Sequence, residues 1–186
     1  LFTHIHPHLS WNSWIESRLE LPQAASVSPV WNAEKSLGNM PFHRALGYAL
    51  WLIRLPAQTI TEVAERLYIP RKIADHILAG RKMLAEIDGM QGKKPSEITA
   101  YLDEFSGFAL YIIYLAKIDT PVKAILESYA KHWRDFSPEI DGMVLQQRGL
   151  KPGPAYKEIL TRLRAAWLDG EIQQPEQEAS LLERLI

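Results

Sequence analysis

The chain has 186 residues, of which 47% are hydrophobic, and this is enough for one large helical domain or two small ones. It has no cysteine, which excludes a disulfide framework and a thiolate metal site and predicts a reducing, cytoplasmic compartment. A net charge of −1 excludes a globally basic nucleic-acid binder but leaves room for a local basic patch.

Helix-start signals recur along the chain. They consist of a proline, which is tolerated in the first helical turn, or of a polar residue that can cap the helix. The predicted helices run over about 10–19, 41–55, 59–67, 70–87, 96–104, 108–115, 121–136 and 153–168, and from Pro175 onward. The apolar run Phe108–Leu115 is too short to span a bilayer, for which about 20 residues are needed, so we expect a buried helix there.

These elements predict an all-α fold, with a domain boundary where the composition changes. We expect an irregular helical body of about seven helices over residues 1–136 and a tail of about two or three helices over residues 137–186. The chain begins at Leu1 without a methionine and shows no signal peptide, so it is expected to be part of a longer protein.

No complete catalytic or metal site is visible in the sequence. His4, His6 and His8 alternate, but Pro7 lies among them and no acidic or cysteine partner is close, so they are interpreted as the entry to the first helix. The chain also has no Asp-x-Asp pair of the kind that holds two metal ions for nucleotidyl transfer.

One Gly/Pro loop, Gly149–Pro154, leads directly into a predicted helix. A helix N-terminus carries a partial positive charge and unpaired N–H groups, and Arg148, Lys151 and Lys157 surround this one. The segment 141–166 holds five basic residues against two acidic ones. The pattern is compatible with a clamp for backbone phosphate, and also with a tight turn between helices that has solubilising neighbours.

A helical hairpin over Thr59–Lys82 is the other candidate for nucleic-acid binding. Arg71, Lys72 and Asp75 lie at the start of its second helix, where a DNA-reading helix carries its base contacts. Hairpins of this kind are also common in helical bundles. DNA reading would require Arg71 and Asp75 to point outward.

Four features of the second half occur in the order of a known family pattern. These are the run Asp141–Leu145, the Gly/Pro loop, Ile159-Leu160, and the exit Leu168-Asp-Gly-Glu-Ile172. They resemble the C-terminal region of the class II tRNA nucleotidyltransferases, the CCA-adding enzymes and poly(A) polymerases. The entry Ile5-His6-Pro7 resembles the family's helical body. One departure is Lys157, where family members often have glycine.

The resemblance implies a role in tRNA processing. The family's catalytic head, which uses Mg²⁺ with CTP and ATP, and its nucleotide-selecting neck are absent from this chain. The chain itself would be the helical body and tail, and would bind tRNA without catalytic residues or cofactors of its own. The expected RNA-binding residues are Arg148, Gly149, Lys151, Gly153, Lys157, Arg162 and Arg164. The alternative is a helical protein–protein or oligomerisation module without RNA binding, and a homodimer is compatible with either function.

Overall fold

The computed structural model describes residues 4–24, 29–33 and 37–186, and within them it is helical without any β-strand. The predicted all-α class is therefore confirmed, and the helix number is close to the prediction. The α-helices are α1 Ser13–Ala24, α2 Phe42–Leu52, α3 Ala57–Arg66, α4 Arg71–Glu86, α5 Pro95–Leu102, α6 Gly107–Ala116, α7 Val122–Ser128, α8 Gly142–Gln147, α9 Pro154–Leu168 and α10 Pro175–Leu185.

The chain folds into two compact units. The first takes the described parts of Leu1–Gln91 together with Glu104–Glu127, and α6 lies at its centre because this helix is buried nearly all round. Helices α2 and α4 pack against α6. Within the described residues, no helix is both long and apolar enough to cross a membrane.

The second unit takes Gly92–Asp103 and Ser128–Ile186. It contains α5, a π-helix at Tyr129–Trp133, and α8 to α10. One cluster of its core joins the inner faces of the last three helices to Ile172, and it contains Leu145, Ile159, Leu163, Ala166, Ile172, Leu181 and Leu182. The predicted domain boundary after residue 136 stays a prediction.

Several helix starts differ from the prediction. Helix α3 begins at Ala57, directly after Pro56, so Thr59 is a buried residue within the helix and not its cap. Helix α1 is capped by Asn12, whose side chain accepts the N–H of Ile15 at 3.1 Å, and not by Ser10. In each case another residue nearby offered an equally good start signal.

Candidate nucleic-acid interface

The Gly/Pro loop begins with a Schellman motif at the end of α8. The N–H of Gly149 donates to the carbonyl of Gln146 at 2.9 Å, and the N–H of Leu150 donates to that of Leu145 at 3.2 Å. Gly149 has φ +82°, the left-handed conformation that this position needs and that glycine adopts without steric cost. Leu150 then packs against the core of the second unit, which fixes where the loop leaves the helix.

The rest of the Gly/Pro loop is held at its base and exposed along its length. The hydroxyl of Tyr156 donates to the carbonyl of Leu150 at 2.9 Å and so ties the loop to α9. Residues 151–155 are all exposed. Gly153 has φ 174°, an extended backbone that any residue can adopt, and no neighbour would crowd an added side chain there. Gly153 therefore leaves space above the start of α9 but is not required by the turn.

Two lysines of the predicted site are available for a ligand. Lys151 lies in the Gly/Pro loop and Lys157 in the first turn of α9, and both side chains are exposed. Within the part of the chain that the structure describes, neither makes a hydrogen bond or an ion pair. Two exposed cations therefore lie in the loop and in the first helical turn after it, at the positive end of a helix dipole.

Arg148 and Arg162 are bound to carboxylates, but at the surface. Arg148 forms an ion pair with Glu183, and Arg162 donates to Glu171 at 2.6 Å. The hydrogen bond from Arg162 lowers the pKa of the Glu171 carboxyl below its usual value. Ion pairs as exposed as these contribute little to stability, so a phosphate can replace the carboxylate at little cost.

Arg164 has a different environment from the other predicted site residues. It donates to Asp103 at 2.8 Å and to the backbone carbonyls of Trp133 and Arg134 at 3.0 and 2.8 Å. These carbonyls lie at the end of the π-helix, where the helix itself offers no donor. Asp103 also accepts the hydroxyl of Tyr129 at 2.8 Å, and burial, followed by this bond, raises the pKa of Tyr129. Arg164 thus holds the π-helix in place within the second unit.

A cleft of about 440 Å³ in the second unit lies beside Arg164. Its charged side chains are already paired: Arg134 binds Asp135 through two hydrogen bonds of 3.1 and 3.0 Å, and Asp141 caps α8. Among the described residues that line it, neither arginine is left without a partner.

Two buried carboxylates that sequence reasoning missed hold the two ends of the second unit together. Asp169 accepts both the backbone N–H and the hydroxyl of Ser96, at 2.9 and 2.8 Å. Glu178, which is 1% exposed, accepts the indole N–H of Trp167 at 2.9 Å. No sequence signal could have found the Asp169 contact, because Ser96 lies 73 positions away along the chain.

The other candidates in the sequence have these surroundings. Arg71 and Asp75 are both exposed on α4, so the condition set for DNA reading is met and that hypothesis stays a prediction. His6 contacts Glu62 at 3.0 Å. Among the described residues, no group of three or more His, Asp or Glu side chains is placed to hold a metal ion.

The comparisons with known proteins support the fold. No protein-family model matches the chain, and no curated protein matches it either. Among solved structures, the chain is similar to the Thermotoga maritima CCA-adding enzyme complexed with tRNA, with a TM-score of 0.68 and 18% sequence identity. The likeness covers 99% of this chain and 43% of that chain. At this identity the match shows a shared fold, and this chain spans less than half the length of that enzyme.

Proposed function

We propose that the chain is the tRNA-holding helical portion of a tRNA nucleotidyltransferase, the body and tail that position tRNA for CMP and AMP addition by a catalytic head. The observation that carries the proposal is the pair Lys151, in the Gly/Pro loop, and Lys157, in the first turn of α9, both exposed and unpaired among the described residues. Two cations at a helix N-terminus fit adjacent backbone phosphates.

The roles of the predicted residues follow from their surroundings. Lys151 and Lys157 contact phosphate, and Arg148 and Arg162 join them by exchanging their surface carboxylates for RNA. Gly149 sets the direction of the loop, and Gly153 keeps the start of α9 open. Arg164 acts indirectly, because its guanidinium is bound to Asp103 and to two carbonyls of the π-helix.

The fold and the chemistry of RNA support this proposal together. Double-stranded RNA is bound through its shape, its 2′-hydroxyls and its phosphates, so a helical scaffold with a few well-placed cations is sufficient. The solved structure with the same fold is a complex with tRNA. On this proposal Mg²⁺, CTP and ATP belong to the head, and this chain supplies no catalytic residue.

The experiment is a titration of unmodified tRNA with the chain and with two matched double variants. Lys151→Ala/Lys157→Ala removes the proposed phosphate contacts, whereas Lys82→Ala/Lys93→Ala removes two exposed lysines elsewhere. We expect the first variant to bind roughly tenfold or more weakly at low salt and the second to bind like the parent. Equal weakening of tRNA binding in both variants would show that only the net charge of the chain matters, and would contradict the proposal.

The alternative function, a protein–protein or oligomerisation module, has no specific observation in its favour. The large apolar side chains exposed among the described residues are Trp11, Tyr68, Met143, Leu185 and Ile186. Trp11 and Tyr68 belong to the first unit and the other three to the second. The homodimer likewise stays a prediction, which sedimentation equilibrium would test.

A further inference from the structure

The turn between α3 and α4 exposes a tyrosine in an unusual backbone conformation. Tyr68 is 92% exposed and has φ +53°. The turn is a Schellman motif, in which the N–H of Tyr68 donates to the carbonyl of Glu65 at 3.1 Å and that of Ile69 to Ala64 at 2.8 Å. Ile69 is buried, so the turn is anchored while the ring of Tyr68 projects into solvent.

Folding alone does not account for Tyr68 at this position. The equivalent position is glycine in two further Schellman motifs of the chain, at Gly149 and Gly170, with φ +82° and +71°. A side chain in the left-handed region costs free energy that glycine does not. An exposed ring also gains nothing from burial. Strain that the fold does not need is a reason to look for a function.

The charges around the turn indicate what this ring could bind. Arg66, Arg71 and Lys72 are all exposed, and within the described ranges none of them makes a hydrogen bond or an ion pair. Two exposed carboxylates, Glu65 and Asp75, lie on a neighbouring cleft of about 480 Å³ between the two helices. The positive charge is thus concentrated at the turn itself and does not extend as a stripe along the hairpin.

We propose that Tyr68 is a stacking platform for an unpaired nucleotide of an RNA strand, with Arg71 and Lys72 on the adjacent phosphates. Proteins bind single strands with this combination, since every base has a π-face and every nucleotide a phosphate. A duplex offers its bases edge-on in the grooves, where an exposed ring has no stacking partner. The carboxylates beside the turn would also repel a long, continuous phosphate backbone.

This inference is independent of the proposed function. It rests on the first unit alone, whereas the Gly/Pro loop belongs to the second. It also assigns a function to the hairpin that the sequence had singled out for DNA reading.

The test measures binding of the whole chain to a short fluorescein-labelled oligouridylate by anisotropy at low salt. Tyr68→Phe keeps the ring and should bind within about twofold of the parent, while Tyr68→Asn removes the ring at a position that asparagine tolerates and should bind roughly tenfold more weakly. An oligonucleotide containing 2-aminopurine reports stacking directly, since its fluorescence should be quenched by the parent and by Tyr68→Phe but not by Tyr68→Asn. Thermal melting verifies that the variants are folded.

Three results would overturn the inference. One is equal affinity of Tyr68→Asn and the parent, and another is no detectable binding of the oligonucleotide. The third is tighter binding of duplex DNA that Arg71→Ala weakens and Tyr68→Asn does not, which would indicate groove reading by α4. Loss of oligonucleotide binding in Lys151→Ala/Lys157→Ala alone would equally contradict the inference, because it would place the strand at the Gly/Pro loop.

Discussion

The carboxylate of Glu178 accepts the indole N–H of Trp167 at 2.9 Å in a position where Glu178 is only 1% exposed. Its other oxygen accepts the backbone N–H of Ile140 at 2.9 Å. One buried side chain of α10 therefore binds both α9 and the segment that leads into α8. Since α8 and α9 flank the Gly/Pro loop, this carboxylate helps to fix the geometry of the proposed RNA-binding surface.

Replacing Glu178 by alanine should destabilise the chain by about 3 kcal/mol, because the partly buried donors on Trp167, Ile140 and Glu139 lose their acceptor. Glu178→Gln keeps one carbonyl oxygen and should cost about half as much. Urea unfolding followed by tryptophan fluorescence measures both. Glu176→Ala, at an exposed position of the same helix, is the control and should change stability by less than about 1 kcal/mol. An equally small effect for Glu178→Ala would contradict the account of this contact.

Gly107 is required by a close backbone approach. A Cβ atom at this residue would lie 2.0 Å from the carbonyl oxygen of Trp31, and a backbone atom cannot move aside as a flexible side chain can. Gly107→Ala should therefore cost about 2 kcal/mol or more, measured by urea unfolding. Gly89→Ala is the matched control, because nothing lies within 4 Å of the added atom there. Similar unfolding midpoints for the two variants would show that the approach is not tight.

Replacing Arg164 and Arg162 in turn should distinguish an arginine that stabilises the fold from one that forms only a surface ion pair. Arg164→Ala removes one of the donors to Asp103 and the side-chain donor to two carbonyls at the end of the π-helix, and should cost about 2 kcal/mol. Arg162→Ala breaks only an exposed pair with Glu171 and should cost less than about 1 kcal/mol. Thermal unfolding measures the difference. A larger loss for Arg162→Ala would reverse the two assigned roles.

Stability should fall between about pH 10 and pH 12 through Tyr114. Burial, then a hydrogen bond to Glu127, raises the pKa of Tyr114 from 10.0 to about 12. As the pH rises through this range, the unfolded chain loses the phenol proton before the folded chain does, so unfolding becomes easier. In Tyr114→Phe the decline should be smaller, and the remainder comes from Tyr111 and Tyr129, whose pKa values are also raised by burial. Urea midpoints measured from pH 9 to pH 12 test this, and identical declines in both proteins would contradict it.

Local signals predicted the helices well where they were unambiguous. Helix α9 has the predicted bounds, because Pro154 opens it and Gly170, at φ +71°, follows its end. The start of α3 was misplaced because Pro56 and Thr59 are both good start residues, and only packing, which buries Thr59, decides between them. The local sequence pattern therefore predicts that a helix is present, while tertiary contacts determine the residue at which it begins.

The candidate site was predictable in composition but not in pairing. The sequence shows that basic residues gather around the Gly/Pro loop. It does not show which of them form ion pairs with carboxylates, so all were predicted to contact phosphate. Which of them are available depends on carboxylates distant in the chain, such as Asp103, which lies 61 positions from Arg164. The lysines are unpaired among the described residues and the arginines are not, and this distinction arises only when the helices pack.

The most direct test of the central claim is the salt dependence of tRNA binding by the parent chain and by Lys151→Ala/Lys157→Ala. Each phosphate contact contributes about −0.9 to the slope of log K against log salt, because binding a cation releases counterions. The account predicts that the double variant has a slope smaller in magnitude by about 2 and a lower affinity at low salt. An unchanged slope and affinity would contradict the claim that these two lysines hold the RNA backbone.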